Sequence, residues 1–226
     1  MKPKRKKEIK WLPEIAYAVG LITTDGSLSN DGRHIILVSK DTQLLKTFKK
    51  CLGLKNKIGY RKSSYTERKD CRHVQFGDVV LYKWLQKIGL TPNKTKTIEK
   101  LKIPDKYFFD FLRGCFDGDG SSYSYWDQRW ASSFMFYTNF SSGSLFHLKW
   151  IRSKLKILLK INGHIKSSRR IWQLCYAKKE SRILFSKIYY RKNLPCLKRK
   201  YKKLKTHLDI DNKEISRELK SNARVL

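Results

Sequence analysis

One nine-residue pattern occurs twice in this sequence, and the two copies start 94 residues apart. Residues 18–26 read AVGLITTDG and residues 112–120 read LRGCFDGDG, so each copy has an internal glycine, two apolar residues after it, and a final Asp-Gly pair. Each copy begins like an apolar helix and is followed by serine and an alternating, strand-like segment. The repetition predicts a tandem pair of similar folding units.

The segments after each copy predict the same order of elements in both halves. The first half has strand patterns within 27–32 and 33–40, a helix over 42–52, strands near 58–65 and 71–76, and a helix over 79–88. The second half has strand patterns within 121–130 and 132–140, a helix over 144–159, strands near 163–168 and 171–176, and a helix over 181–190. The expected fold class is therefore α+β, with two tandem αββαββα repeats.

Prolines and charges mark the join between the repeats, and the last residues have mixed charge and weak helical spacing. We therefore divide the chain into a basic N-terminal arm, a first repeat, a linker and closing segment, a second repeat and a C-terminal tail. The boundaries of these five parts are 1–13, 14–90, 91–107, 108–203 and 204–226.

The charge of the chain indicates its partner. The sequence has 51 Lys and Arg against 19 Asp and Glu, a formal net charge of +32, so a polyanion is expected. A generically basic protein is the alternative, but 40% apolar and 13% aromatic residues along the whole chain favour a folded protein over a basic tail. No apolar run approaches the roughly 20 residues that cross a bilayer, so no membrane partner is expected.

Cysteine usage bears on the compartment. Five cysteines without CxxC spacing indicate reduced thiols, with neither a disulfide framework nor a zinc site. The preference for Lys over Arg is typical of an AT-rich genome. We therefore expect an intracellular protein, of an organelle (chloroplast or mitochondrion) or of a bacterial cytoplasm.

The two copies of the pattern also predict a site. Gly20 and Gly114 lack side chains, so two helices can pack closely there and bring their C-terminal ends together. Asp25 and Asp119 would then lie side by side, each followed by a glycine that lets the chain turn sharply into a strand. Two carboxylates at the negative ends of helix dipoles repel each other unless a cation lies between them. One Asp-Gly pair alone is an ordinary turn signal, but two copies in one frame favour a site for a hard divalent ion such as Mg²⁺.

The two copies resemble the signature helices of LAGLIDADG homing endonucleases in their single-chain form with two motifs. The resemblance covers about residues 14–201, and GLTPNKTKTI at 89–98 and LPCLKRKY at 194–201 resemble the segments that close each repeat in that family. It implies a monomer with internal pseudo-twofold symmetry, whose two saddle-shaped antiparallel sheets lie along the major groove of double-stranded DNA. It also implies metal-assisted cleavage of each strand at the junction between the repeats.

The resemblance assigns roles to the acidic residues of the motifs. Asp25 and Asp119 match the family's metal-binding carboxylates, with Mg²⁺ as the expected ion and Mn²⁺ or Ca²⁺ able to occupy the same site. Asp117 stands at the first Asp of the motif, where the first copy has Thr23. Asp117 is therefore not expected to bind metal.

The family also places a basic or polar residue of each repeat near the scissile phosphates. The resemblance implies two such residues at the ends of the second strands and two in the closing segments: Lys40, Ser142, Lys94 and Lys198. Lys96 and Lys200 are close alternatives. Such lysines would neutralise charge on a phosphate or orient a water, whereas the alternative for each is a solvated surface lysine.

Alternation along the strands predicts which side chains face DNA, although a slip of one residue would reverse every face. Positions in step with the two aspartates carry donors and acceptors suited to base edges. In the first half the predicted contacts are Ser29, Asp31, Arg33, Lys62, His73 and Gln75. In the second half they are Tyr123, Tyr125, Asp127, Arg129, Tyr137, Asn139, Lys166, Arg170 and Gln173. Because the two sets differ, the expected target is long and pseudo-palindromic or asymmetric.

The leading hypothesis is a site-specific double-strand DNA endonuclease that hydrolyses phosphodiester bonds with a divalent metal. Two alternatives use the same scaffold: an RNA-binding intron maturase, whose partner would be its host intron RNA, and a DNA-binding regulator that has lost cleavage. The presence of both Asp25 and Asp119 argues against a role without cleavage, and a combined nuclease and maturase activity stays open.

Overall fold

The structure is a computed structural model that describes residues 8–61, 71–129 and 133–222. The first half contains α1 (Pro13–Thr24), β1 (Gly26–Leu28), β2 (His34–Ser39), α2 (Thr42–Leu52), β3 (Gly59–Arg61), β4 (Cys71–Gly77) and α3 (Val79–Lys87). The second half contains α4 (Phe108–Asp119), β5 (Ser121–Trp126), β6 (Phe134–Ser142), α5 (Leu145–Leu159), β7 (His164–Ser168), β8 (Ile171–Tyr176) and α6 (Lys178–Ile188), and α7 (Lys198–Asn222) follows it. The predicted tandem αββαββα order is confirmed.

Each half folds its four strands into an antiparallel sheet of the same topology. The strand orders are β1-β2-β4-β3 in the first half and β5-β6-β8-β7 in the second. On β2 and β4, Ile35, Leu37, Val74 and Phe76 are buried, whereas Gln75 between the last two is exposed. Each sheet therefore packs one face against helices and presents the other, which we call its outer face.

The two halves meet where α1 and α4 cross at their glycines. A β-carbon on Gly20 would lie 2.2 Å from the carbonyl oxygen of Phe111, and one on Gly114 would lie 2.2 Å from that of Tyr17. Any side chain at either position would push the helix backbones apart. The close packing that the sequence predicts at these two glycines is therefore confirmed.

Some element boundaries differ from the prediction. β1 ends at Leu28 because the chain turns at once, with Gly32 at a φ of +71°, so the predicted strand over 27–32 is shorter. β3 ends at Arg61, and the remainder of the strand predicted near 58–65 lies outside the described residues. α6 begins at Lys178, ahead of the predicted start at residue 181, because the Ser181 N–H already donates to the Ala177 carbonyl at 2.8 Å.

The predicted C-terminal tail continues the second repeat. α7 is a single helix of 25 residues that runs through the predicted boundary at 203/204. Leu204 and Asp211 on one face of this helix are fully buried. The Asp211 carboxylate pairs with Lys178 Nζ at 2.6 Å and Arg182 Nη1 at 2.5 Å, both on α6. The helix docks because it buries apolar surface and satisfies a buried charge, which its weak sequence periodicity does not reveal.

The predicted linker is also a packed part of the molecule. Leu101 and Ile103 are buried, and the Lys102 N–H donates to the Ile88 carbonyl at 2.9 Å, beside the end of α3. Prolines and charges on the exposed side of this segment gave it the appearance of a linker. Within the described part of the chain, none of the helices has both the length and the apolarity needed to cross a bilayer.

Candidate metal and nucleic-acid site

Asp25 and Asp119 meet where α1 and α4 end. Asp25 caps α1, with its N–H donating to the Leu21 carbonyl at 3.0 Å, and Asp119 is the last residue of α4. A β-carbon on Gly118 would lie 3.2 Å from Asp25 Oδ2, so the carboxylate of one helix lies against the backbone of the other. Burial is the main cause that raises the pKa of Asp25 to about 7, and the negative charge of Asp119 is the second cause. Burial also raises the pKa of Asp119, so the junction is an unfavourable place for two negative charges without a cation.

The glycines after the two aspartates are required for space rather than for a special backbone conformation. The expected sharp turn from helix into strand is present at both positions, but neither Gly26 nor Gly120 has a positive φ. A β-carbon on Gly26 would lie 2.6 Å from the Cα of Ile22, and one on Gly120 would lie 2.6 Å from the Cα of Phe116. Each strand leaves its helix so closely that only glycine fits.

Two lysines lie at the same junction, one from each closing segment: Lys94 is buried and Lys200 is half-buried. Lys94 donates to the carbonyl of Gly26, and Lys200 donates to the carbonyls of Gly118 at 2.5 Å and Gly120 at 2.7 Å. Gly26 and Gly120 are the same position of the two motif copies, so Lys94 and Lys200 are structural counterparts. Burial lowers the pKa of each amine to about 8, against the opposing effect of nearby aspartates. Both amines therefore stay largely protonated at neutral pH.

The structure distinguishes between the alternative lysines of the closing segments. Lys94 and Lys200 lie at the junction, whereas Lys96 and Lys198 are exposed. The sequence comparison preferred Lys198, and the structure places Lys200 there instead. The reason is that the second segment enters helix α7 at Lys198, so the residue that points back to the motif lies further from the segment's proline than in the first repeat. The sequence alone does not reveal this three-residue difference in the spacing between proline and lysine, because it depends on where helix α7 begins.

The two predicted residues at the strand ends have different surroundings. Ser142 ends β6 and lines a cavity of about 60 Å³ together with Lys94 and Asp119, which is room for about two waters. Its Oγ accepts the N–H of Ser144 at 3.1 Å. Lys40 directly follows β2 and is exposed. The structure therefore places Ser142 in the cavity beside Asp119, and the role of Lys40 stays a prediction.

Asp117 has its own set of partners, away from the helix ends. Its carboxylate accepts the Tyr17 hydroxyl at 2.7 Å and the Leu197 N–H at 2.6 Å. Burial raises its pKa to about 6, although these hydrogen bonds act in the opposite direction. Its counterpart Thr23 donates instead to the carbonyl of Val19 in its own helix at 2.8 Å. Asp117 thus ties the motif helix to the second closing segment.

The outer face of the second sheet carries a stack of tyrosines. Tyr123 and Tyr125 of β5 stack on Tyr137 of β6, with ring centroids 5.0 and 6.1 Å apart and planes within 11°. Lys166 of β7 and Gln173 of β8 pair across their strands on the same face. Alternation along the strands predicts this grouping, and the structure brings these five residues together.

The other predicted contacts of the second half are more varied. Asn139 lies on the outer face but is buried, and its Oδ1 has no hydrogen-bond partner within the described residues. Arg170 is exposed in the turn between β7 and β8. Asp127 and Arg129 lie in the turn after β5 and form an ion pair with each other at 3.1 Å.

The outer face of the first sheet is built from different residues. His73 and Gln75 of β4 lie opposite Val38 and Ile36 of β2. The two apolar residues were missed, although alternation from His34 marks them as members of this face.

The remaining predicted contacts of the first half lie at the edge of this face. Ser29, Asp31 and Arg33 form the turn between β1 and β2, where the Asp31 carboxylate accepts the Arg33 N–H at 3.0 Å. Lys62 lies outside the described residues.

Comparison with solved structures identifies the fold. The structure is similar to the LAGLIDADG meganuclease I-AabMI bound to uncleaved DNA, with a TM-score of 0.63, 15% identity and 92% of each chain covered. It is similar to the homing endonuclease I-WcaI bound to its DNA recognition sequence, with a TM-score of 0.59, 14% identity, and 89% of this chain and 94% of that chain covered. The chain has the LAGLIDADG fold.

The LAGLIDADG fold also occurs in a protein of another kind that resembles this chain. The N-terminal LAGLIDADG domain of DUF199/WhiA matches with a TM-score of 0.53 and 19% identity, covering 81% of this chain and 85% of that one. No family model matches the sequence, and no curated protein matches it. In this fold α1 and α4 carry the two copies of the motif, and the function has to be argued from the residues at their ends.

Proposed function

We propose that this protein is a metal-dependent, site-specific double-strand DNA endonuclease. The observation that carries the proposal is the junction of the motif helices, where Asp25 and Asp119 lie together with one hydrogen-bonded lysine from each repeat. A protein that only bound nucleic acid would gain nothing from two desolvated carboxylates, which repel both each other and a phosphate backbone. A nuclease needs them to hold a cation against that backbone.

The residues at the junction fit a hard divalent ion. Asp25 and Asp119 offer carboxylate oxygens. Burial raises the pKa of both, and the charge of Asp119 raises that of Asp25 further, although Lys94 and Lys200 act in the opposite direction. A divalent cation between them would favour the ionised pair. Within the described residues no cluster of three or more His, Cys, Asp or Glu exists, so much of the coordination would be left to waters and phosphate oxygens, as Mg²⁺ prefers. We assign Mg²⁺ as the ion; the similar protein I-DmoI has been solved with DNA and Mn, at a TM-score of 0.50 and 16% identity.

A divalent cation at this position would polarise a phosphoryl oxygen and lower the pKa of a bound water. The chain's own contribution is charge and position. Lys94 and Lys200 are held by backbone carbonyls next to the carboxylates, so their ammonium groups stay fixed without free side-chain motion. Such preorganised charges stabilise the negative charge that develops on a phosphate while water attacks phosphorus and the P–O bond breaks. Ser142 can orient a water in the cavity beside Asp119.

The sheets would bind the DNA on either side of this junction. Phosphate contacts from the Lys and Arg excess supply affinity, and side chains of the outer faces read base edges. The tyrosine stack of the second sheet has no counterpart in the described part of the first, where Ile36, Val38 and Gln75 lie instead. We therefore propose a long target without perfect twofold symmetry.

The decisive experiment is cleavage of a randomised plasmid library with Mg²⁺, followed by sequencing of the ends. We expect cleavage of both strands at one discrete site, loss of cleavage with EDTA, and binding that weakens steeply with salt. Asp25→Asn and Asp119→Asn should abolish cutting while DNA binding persists. Asp209→Asn, which alters an exposed carboxylate paired with Lys205 on α7, is the matched control and should cut normally.

Two results would contradict the proposal. Full cleavage by the double variant Asp25→Asn/Asp119→Asn would exclude the metal assignment. Absence of any discrete cut, combined with tight binding of a structured intron RNA, would favour the maturase alternative.

A further inference from the structure

Each closing segment that carries a junction lysine is held by the opposite repeat. The first segment carries Lys94 and is followed by Ile98 and Glu99, whose carbonyl oxygens point to the start of α5 in the second repeat. The Ser144 hydroxyl donates to the Ile98 carbonyl at 2.5 Å, and His147 Nδ1 contacts the Glu99 carbonyl at 2.7 Å. The first lysine is therefore anchored by the second half.

The second segment has the reverse arrangement. It carries Lys200, and the residues just before this lysine contact the start of α2 in the first repeat. Gln43 Nε2 donates to the Cys196 carbonyl at 2.8 Å, and Gln43 Oε1 accepts the Lys198 N–H at 2.9 Å. The Gln43 side chain thus holds the backbone at two points, two and four residues before Lys200.

These two contacts occupy equivalent places in the pseudo-symmetric fold. α2 and α5 both follow the second strand of their repeat, and Asp41 and Ser144 are their N-cap residues. Each N-cap also reaches the opposite segment, because Asp41 pairs with Arg199 at 2.8 Å while Ser144 bonds Ile98. We call this reciprocal pair of contacts the cross-repeat clasp.

The clasp is more deeply buried on one side than on the other. Ser144 and His147 are buried, and burial lowers the pKa of His147 to about 4, so its ring is neutral at physiological pH and Nδ1 carries the proton that the Glu99 carbonyl accepts. Gln43 is half-buried and uses both ends of its amide. A β-carbon on Gly143 would lie 2.6 Å from the Thr95 carbonyl, so the first segment also packs tightly at the position next to Lys94.

We infer that Gln43 and His147 are positioning residues that make the lysine of each repeat depend on the other repeat. Each of them touches the backbone of a closing segment and neither touches the carboxylates. The inference rests on the proposed function, which gives the two lysines their role. It predicts that the junction is intact only when both repeats are folded. In such a chain, the lysine that serves each DNA strand would be in position only when the two repeats are packed together.

The test is the cleavage rate of each DNA strand measured separately. Lys200→Ala and Lys94→Ala first define which strand depends on which lysine. Gln43→Ala should then slow the Lys200-dependent strand about tenfold or more, since a misplacement of about 1 Å can cost ~10²-fold, with little change on the other strand. In a Lys200→Ala background Gln43→Ala should add nothing. Gln86→Ala, an exposed glutamine on helix α3, is the matched control and should change neither strand.

The other side of the clasp gives the mirror-image test. His147→Phe keeps an aromatic ring among Phe111 and Trp150 but removes the donor, and it should slow the Lys94-dependent strand. His147→Asn can place an amide N–H near the position of Nδ1, and it should restore part of that rate. Equal slowing of both strands by either variant would show a general loss of stability and would overturn the inference.

A second measurement does not depend on cleavage. Acetic anhydride at fixed pH, followed by mass spectrometry, measures how accessible each lysine amine is. Gln43→Ala should raise labelling of Lys200 about tenfold by local opening while Lys94 stays protected, and His147→Phe should do the opposite. If the wild-type protein cuts no DNA, the proposed function fails while this labelling pattern still supports the clasp. Unchanged labelling of both lysines in both variants would overturn the clasp itself.

Discussion

The ends of α1 and α4 are built from the same charged parts but are supported by different neighbours. Each is followed by or ends in Asp and then Gly, and each glycine carbonyl accepts a hydrogen bond from a closing-segment lysine. Two residues before the aspartate, however, Thr23 bonds its own helix, whereas Asp117 binds Tyr17 and Leu197. The difference teaches that the charged groups of the junction are duplicated, whereas the contact by which Asp117 ties its motif helix to the second closing segment has no counterpart at Thr23.

The outer faces of the two sheets differ more than their topologies. The second face stacks Tyr123, Tyr125 and Tyr137, and the first presents Gln75 and His73 among aliphatic side chains. Both sheets have the same strand order, so the backbone sets a common shape and the side chains on it vary independently. Under the proposed function, this is how one protein reads two unlike half-sites.

The largest effect is expected where the halves touch. Gly20→Ala and Gly114→Ala each put a β-carbon 2.2 Å from a backbone carbonyl, so each should lower the free energy of unfolding by about 3 kcal/mol or more. The two costs should be similar because the contact is reciprocal. Chemical denaturation measures them, with Gly32→Ala as the control. Gly32 has open space around it, so that control should cost only about 1–2 kcal/mol from its positive φ. Equal costs at all three positions would contradict the close packing.

A smaller effect should separate Asp117 from Thr23. Asp117→Ala leaves the Tyr17 hydroxyl and the Leu197 N–H buried without their acceptor, so the free energy of unfolding should fall by about 2–3 kcal/mol. Thr23→Ala should change it by less than about 1 kcal/mol, because alanine favours the helix and the lost bond is internal to it. Denaturant unfolding at pH 7.5 measures both variants, and equal losses would show that the two positions have the same role.

The smallest effect is a gain in stability that depends on pH. The pKa of Asp25 is about 7 in the folded protein against about 3.8 unfolded, so the folded state binds its proton more tightly and loses stability as pH rises from about 4 to 7. Asp25→Asn removes this loss. In EDTA, the variant should be about 1–2 kcal/mol more stable than wild type at pH 8, at about 1.4 kcal/mol per pKa unit reduced for partial exposure.

The advantage of Asp25→Asn should shrink at pH 5, where the folded carboxyl is already protonated. Added Mg²⁺ should stabilise wild type more than the variant, because only wild type keeps both carboxylates. Thermal unfolding at the two pH values checks the sign. A variant that is less stable than wild type at pH 8 without metal would contradict the desolvated pair.

Sequence patterns predicted the elements well but their ends and neighbours poorly. The alternation in β5 and β6 and the helical spacing of α2 and α5 are local, so the residues alone reveal them. The strand β1 is short because its turn begins at once, and α7 extends into the predicted tail because Asp211 finds two cationic partners on α6. The extent of α7 depends on residues about 30 positions away in the sequence, which no local pattern contains, whereas the early end of β1 is set by the local turn at Gly32, which the alternating pattern did not reveal.

The candidate site shows the same division. The repeated motif alone identified Asp25 and Asp119, because two Asp-Gly pairs in the same frame indicate a shared role rather than two unrelated turns. It did not separate Lys200 from Lys198, because the choice depends on where α7 begins and on which side chain turns back to the Gly118 and Gly120 carbonyls. Nor did it suggest Gln43 or His147, whose partners lie in the opposite repeat.

By itself the sequence determined the twofold plan of the chain, the glycines at the helix crossing and the pair of carboxylates, because each of these is written as a repeated local pattern. Only the tertiary structure decided which lysines join the carboxylates and how each repeat holds the other's closing segment. The physical reason is that burial, close backbone approach and hydrogen bonds across the junction arise between residues about 50 to 150 positions apart. Their energies exist only once the two repeats have packed together.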